Sequence, residues 1–113
     1  MKSNRALDSI TLFPAAVVAD LWREQRSAGR DAKFIPVGEN GRATAILVYA
    51  IERDGHAAAI GLCNDDEIIA VNGRYVVEQP KGIIEMLYRE PLLVLNVRRA
   101  GARRMLYWKA APQ

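Results

Sequence analysis

The sequence predicts an α+β domain: a small, strongly twisted, partly closed antiparallel β-sheet with two helices, preceded by an N-terminal amphipathic helix. Three observations lead there. Short β-favouring runs recur along the chain, and Asn-Gly pairs at 40–41 and 72–73 stand between them, the strongest short-range hairpin signal. Two segments, near 14–27 and 80–89, carry apolar residues at helical spacing. Residues 54–77 string together a short Ala-rich helix, a glycine, an acidic turn, a strand, Asn-Gly and a second strand, so each change of course has a local cause.

At 113 residues the chain is one domain's worth and can bury roughly 60–70% of the surface its unfolded form exposes. Half of it is hydrophobic and 26% charged, ordinary for a globular domain and far from the composition of disorder. No apolar run approaches the roughly 20 residues that cross a bilayer, and the first four residues lead into no signal-peptide core. The chain as written is therefore expected to be soluble, with any membrane segment of a parent protein lying outside it. The net charge is +3, but Arg98, Arg99, Arg103, Arg104 and Lys109 crowd the C-terminal end. They alternate with apolar residues as in a strand, which fits a solvated sheet face better than a nucleic-acid surface. Cys63 is the only cysteine, so no internal disulfide can form; between Leu62 and Asn64 it reads as a half-buried, inert thiol.

Residues 1–10 carry little signal. Pro14 suits the first position of a helix, where its missing N–H costs nothing, and the helix runs to about Ser27. Val17, Val18, Leu21 and Trp22 form its apolar stripe, while Asp20, Arg23, Glu24 and Arg26 occupy the other faces. Gly29 ends it. Such a helix packs on its own domain more often than on a partner. Residues 33–37 are apolar but contain Pro36, which belongs in an edge strand. After the turn at 39–42, residues 45–51 are a near-continuous apolar run suited to a strand covered on both faces. A helix over residues 56–60 stops at Gly61. Asn64-Asp65-Asp66 turns the chain into a strand at 68–71, with Asp66 accepting backbone hydrogen bonds, and residues 74–77 form the return arm. The helix expected over 80–89 has Ile83, Ile84, Leu87 and Tyr88 as its stripe and ends at Glu90-Pro91. Strands at 92–99 and 103–109, with a turn at 100–102, make a terminal hairpin.

The order of elements in 54–77 resembles the signature of bacterial PDZ domains, small-Ala-x-x-x-Gly-Leu-x-x-Gly-Asp-x-Ile-x-x-Val-Asn-Gly. Phe34-Ile35-Pro36-Val37-Gly38-Glu39-Asn40-Gly41-Arg42, Ile46-Leu47-Val48-Tyr49-Ala50-Ile51 and Gly61-Leu62-Cys63-Asn64-Asp65-Asp66-Glu67-Ile68 narrow it. They are similar to the periplasmic PDZ domain of type II secretion system protein C (general secretion pathway protein C), a family in which a helix usually precedes the domain. The similarity spans residues 13–109. Two departures stand out: Asp65 replaces a glycine, and Ala45 occupies a place where glycine commonly precedes the groove strand.

The resemblance implies residues 1–32 as tail and helix and 33–113 as the PDZ domain. It also implies a groove in which an extended peptide adds to a strand edge beside the second helix. On this reading Ala45, Ile46, Leu47, Val48 and Tyr49 are the groove strand, backbone N–H groups around Thr44, Ala45 and Ile46 receive a terminal carboxylate or an internal peptide turn, and Ile83, Ile84 and Leu87 face the strand from the helix. The expected partner is a protein or peptide: a secretin, another secretion subunit or an exported substrate. The expected place is the periplasmic face of the inner membrane in the parent protein, and the expected state a monomer or weak homodimer, since an exposed edge at 33–37 invites pairing. No nucleic acid, cofactor or metal is expected. Catalysis has little support. His56, the one histidine, reads as a residue that caps or solvates a helix start, and Ser3, Ser9 and Ser27 form no triad with it. The alternative is a substrate-recognition or regulatory PDZ domain of a periplasmic or membrane protease.

Overall fold

Local chemistry sets the elements of the computed structural model, which describes residues 13–28 and 30–112. Thr11, Leu12 and the expected helix stop at Gly29 lie outside them. Helix α1, Ala15–Ser27, begins one residue later than expected: Pro14 caps it in an extended conformation, with its carbonyl accepting from the Val17 and Val18 N–H groups at 3.1 and 3.3 Å. Strands β1, Lys33–Glu39, and β2, Arg42–Tyr49, are joined by Asn40-Gly41, both at positive φ. The same left-handed pair recurs at Asn72-Gly73, between β3, Glu67–Val71, and β4, Arg74–Tyr75, and at Ala100-Gly101, between β5, Leu92–Arg99, and β6, Ala102–Lys109. These are the backbone angles of a tight two-residue hairpin turn.

The short helix α2, His56–Ile60, ends at Gly61, whose φ of 106° suits a residue without Cβ. Helix α3, Ile83–Arg89, is shorter than the expected 80–89 because Gly82 enters the left-handed region (φ 94°) and resets the chain just before it. The return arm is likewise shorter. After Val76 N–H bonds to the Ile69 carbonyl at 2.9 Å, Glu78 and Gln79 N–H turn back onto the Tyr75 carbonyl and leave the sheet.

The six strands form one antiparallel sheet in the order β1-β2-β3-β5-β6, with β4 paired to β3. Pro36 therefore lies on an edge strand, as its missing donor requires. Ile46, Val48, Ile68, Leu93, Leu95 and Val97 line the face that meets Leu21 of α1, Ile60 of α2 and Ile83, Ile84 and Leu87 of α3. A smaller cluster, Val37, Ala45 and Ile69 with Ile35 and Leu47, stands apart from it. The acidic turn is pinned from within: buried Asp66 accepts from Cys63 N–H at 2.8 Å and from Arg99 Nε and Nη2 at 2.8 Å each. Asp65 takes the left-handed conformation there (φ 72°). Cys63 itself is exposed, not half-buried, because the turn throws it outward. No helix among the described residues is long and apolar enough to cross a membrane.

Leu87 is fully buried where α3 meets the sheet. Truncating it to alanine should cost about 3 kcal/mol, transfer and cavity terms together, seen as a lower urea midpoint. Leu92→Ala, at an exposed strand position, should move that midpoint by no more than about 0.5 kcal/mol.

Candidate functional site

The strand expected to offer an unpaired margin is paired on both sides, along its length with β1 and over residues 46–48 with β3 and the turn before it. Along one side β2 pairs with β1, from Lys33↔Tyr49 to Glu39↔Arg42. Along the other it pairs with β3 at Ile46↔Ile68 and Leu47↔Glu67, continued by Val48 N–H to the Asp66 carbonyl and Asp65 N–H to the Val48 carbonyl. This corrects the expected edge. Ile46 and Val48, with Ile83, Ile84 and Leu87 opposite them, are fully buried core rather than walls of an open groove. Ala45 and Leu47 belong to the smaller cluster, the Thr44 hydroxyl donates to the Val37 carbonyl at 3.4 Å, and Tyr49 is exposed at the strand's end. The hairpin explains the difference: β1 folds back on β2 and takes over the margin.

The cleft beside α3 is therefore bounded by β1. Phe34 of β1 meets Tyr88 of α3 edge to face, ring centroids 6.3 Å apart. Because Val48 directs its N–H to β3, its partner Phe34 directs its own away from β2. That N–H donates to Gln25 Oε1 of α1 at 2.9 Å. The next residue facing the same way is Pro36, which has no N–H to offer. On the opposite wall, the Glu24 carboxylate of α1 accepts from Gly82 N–H at 2.8 Å and Glu85 N–H at 3.4 Å, at the start of α3. Leu21 is buried there, and exposed Trp22 stands at the rim beside half-buried Val18 and Ile35 and buried Pro36. The first helix thus bonds to both sides of the cleft. Burial pushes the Glu24 carboxyl above the usual carboxylate range, against the pull of its backbone donors.

A second polar group holds the cleft's far end. Asp31 accepts from Ala57 N–H at 2.8 Å and from the Tyr88 hydroxyl, and burial followed by the Asp31 carboxylate drives the Tyr88 phenol well up. A Cβ at position 55 would overlap the Asp31 carboxylate, so Gly55 is required there. His56 does not merely cap or solvate its helix. Its Nε2 lies 2.6 Å from the Leu87 carbonyl, and its ring packs on Tyr88 and Trp108, with centroids 5.0 and 4.9 Å away. Beside this group, Ser27, Ala28, Glu85, Tyr88 and Arg89 line an open depression of about 440 Å³. Among the described residues no three His, Cys, Asp or Glu side chains converge as metal ligands.

Glu24, Gln25 and Asp31 were not recognisable from sequence as parts of a site. Glu24 reads as solvated helix face, and only Pro36 hints that the first strand's margin is defended.

With this geometry the structure matches the PDZ domain of EpsC from Vibrio cholerae at a TM-score of 0.55 and 17% sequence identity, covering 94% of this chain and 99% of that one. The chain has the fold of a PDZ domain. The PDZ domain of pullulanase C protein from the type II secretion system of Klebsiella pneumoniae, solved with a fatty acid, matches at 0.53 and 18% identity, over 91% and 97% of the two chains. The HtrA3 PDZ domain bound to a phage-derived ligand, FGRWV, matches at 0.56 and 20% identity, over 70% and 80%. No protein-family model and no curated protein sequence matches the chain. In this PDZ fold the sheet edge beside the second domain helix, α3, is β1, and α1 lies across it.

The Glu24 carboxyl gives that helix a pH dependence with a definite sign. A carboxyl raised by burial favours its protonated form in the docked state, so its stabilisation is complete below the ordinary carboxylate range and is lost as pH rises through the raised value. Seating of α1, followed by amide hydrogen exchange at Phe34, should tighten on acidification from neutral pH. Glu24→Gln should flatten the profile; an unchanged profile in that variant would assign the dependence elsewhere.

Proposed function

We propose that the chain is a non-catalytic PDZ interaction module of a bacterial type II protein secretion apparatus. Its partner is a secretin, another apparatus subunit or an exported protein, met at the periplasmic face of the inner membrane to which the parent protein is anchored. The observation carrying this reading is the end-to-end match to two secretion PDZ domains, over 94% and 91% of this chain and 99% and 97% of theirs. The sequence resemblance to secretion protein C agrees with it.

Recognition on this reading is strand addition to the outward margin of β1, beside α3, in place of the margin first expected on β2. With α1 seated, the Phe34 donor is engaged by Gln25. The partner must therefore displace α1 or wait for it to leave. Burial of Leu21 contributes about 2 kcal/mol to the seated state and the Gln25 bond about 1 kcal/mol. A domain open only a small fraction of the time binds correspondingly more weakly than its open form.

A second reading, a substrate-recognition PDZ domain of a periplasmic or membrane protease, is favoured by the comparable match to peptide-bound HtrA3. A Ser-His-Asp or zinc-protease domain encoded on the same chain would decide for it; one upstream membrane span and a short linker would decide against it.

Titration calorimetry against the periplasmic region of the cognate secretin tests the first reading. Leu21→Ala combined with Gln25→Ala should bind about ten- to a hundredfold tighter than the unaltered chain. Equal affinities would show that α1 does not gate the cleft, and no binding by either protein would remove the secretin as partner.

A further inference from the structure

The two margins of the sheet are finished differently. At β1 one outward donor is bonded by Gln25, the next outward-facing residue is Pro36, and a helix lies across both. Among the described residues nothing comparable covers β6. Its register with β5 runs without a bulge from Arg99↔Ala102 to Leu92↔Lys109, and it contains neither proline nor glycine. Beyond its end Ala110 N–H donates to the Pro91 carbonyl at 2.8 Å, so the ladder bonds fall on Trp108, Leu106 and Arg104. The N–H and C=O groups of Arg103, Met105, Tyr107 and Lys109 consequently point away from β5.

Those four residues also share one face of the sheet. In the middle, Met105 and Tyr107 are exposed, Tyr107 to 71%, and they continue onto exposed Val94 and Leu92 of β5. Leu92, Val94, Tyr107 and Lys109 border a shallow depression of about 330 Å³. At the two ends stand Arg103 and Lys109. Arg98 is matched by Glu67 at 3.4 Å and Arg99 by Asp66, whereas Arg103, Arg104 and Lys109 enter no ion pair among the described residues. Residues 91–112 contain no Asp or Glu at all.

We propose that β6 is a docking edge for an extended acidic segment of another protein, which adds to the sheet as a further strand. The register dictates its chemistry: acidic, any, apolar, any, apolar, any, acidic, with the acids opposite Arg103 and Lys109 and the apolar residues opposite Met105 and Tyr107. A second copy is disfavoured, because it would set three cations against three. Phosphate-bearing partners leave the outward carbonyls and the apolar centre unused. The proposal does not rest on the cleft at β1.

The test is an NMR titration of the full chain, ¹⁵N-labelled, with the synthetic peptide acetyl-Glu-Thr-Val-Thr-Val-Thr-Glu-amide. Shifts and slowed amide exchange are expected at Arg103, Met105, Tyr107 and Lys109. Tyr107→Pro removes one outward donor and leaves the β5 ladder intact; it should weaken binding about tenfold or more. Arg103→Glu with Lys109→Glu, both exposed, should reverse preference toward the peptide carrying lysine in place of glutamate, and this pair decides alone if the proline variant fails to fold. The idea is overturned by shifts confined to β1 and α3, or by affinity indifferent to the charge reversal. It is equally overturned by dimerisation through β6, or by binding of an oligonucleotide or anionic vesicle that Tyr107→Pro leaves unchanged while the peptide does not bind.

Discussion

An open sheet has two margins, and each backbone N–H and C=O along them must find a partner or meet water. In this chain that requirement organises the fold. The β1 margin is met by the chain's own first helix: Gln25 supplies the acceptor for Phe34 and Pro36 removes the next donor. The β6 margin is left to charge, with Arg103, Arg104 and Lys109 set along it. A helix ahead of the domain is therefore part of how the sheet is completed rather than an appendage. Whatever binds beside α3 has to compete with it.

The buried and half-buried carboxylates serve the same end by fixing where the elements stand. Asp66 gathers a backbone donor and a bidentate guanidinium, so the acidic turn and β5 cannot move apart without leaving a carboxylate unpaired in the interior. Asp31 does for α2 and α3 what Asp66 does for the turn, and Glu24 joins α1 to the start of α3. Glu24 is the least comfortable of the three. Among the described residues it accepts only from backbone donors and no cation faces it in an ion pair, and burial is the largest influence on its titration.

Most of the architecture was legible in the residues, because the signals are short-range. Asn40-Gly41 and Asn72-Gly73 fix reversals through backbone angles, Gly61 ends a helix, and Pro36 admits only an edge position. What stayed hidden depends on contacts between distant segments. Nothing within residues 45–49 says that both sides of β2 are paired, since a strand buried on both faces and a strand paired on both margins look alike in sequence. The Gln25 to Phe34 bond spans nine residues, and the Glu24 to Gly82 bond spans 58; helical periodicity alone would assign Glu24 to solvent. His56, too, looked like a helix-start residue until α3 and β6 closed around its ring.

The three left-handed turn pairs have a consequence for how the chain reaches this state. Hairpins closed by two residues zip in about 1–10 μs, so β1–β2 and β5–β6 are expected to be ready-made pieces early in folding. Strand β3 must then settle between them, pairing with β2 across some twenty residues and with β5 across about thirty, as in Ile46↔Ile68 and Ile68↔Val97, and its insertion carries the loop-closure entropy. Until it does, the inner flanks of both hairpins stay open to neighbouring nascent chains, and the bulge at Ile68/Ala70 sits in the strand whose arrival ends that exposure.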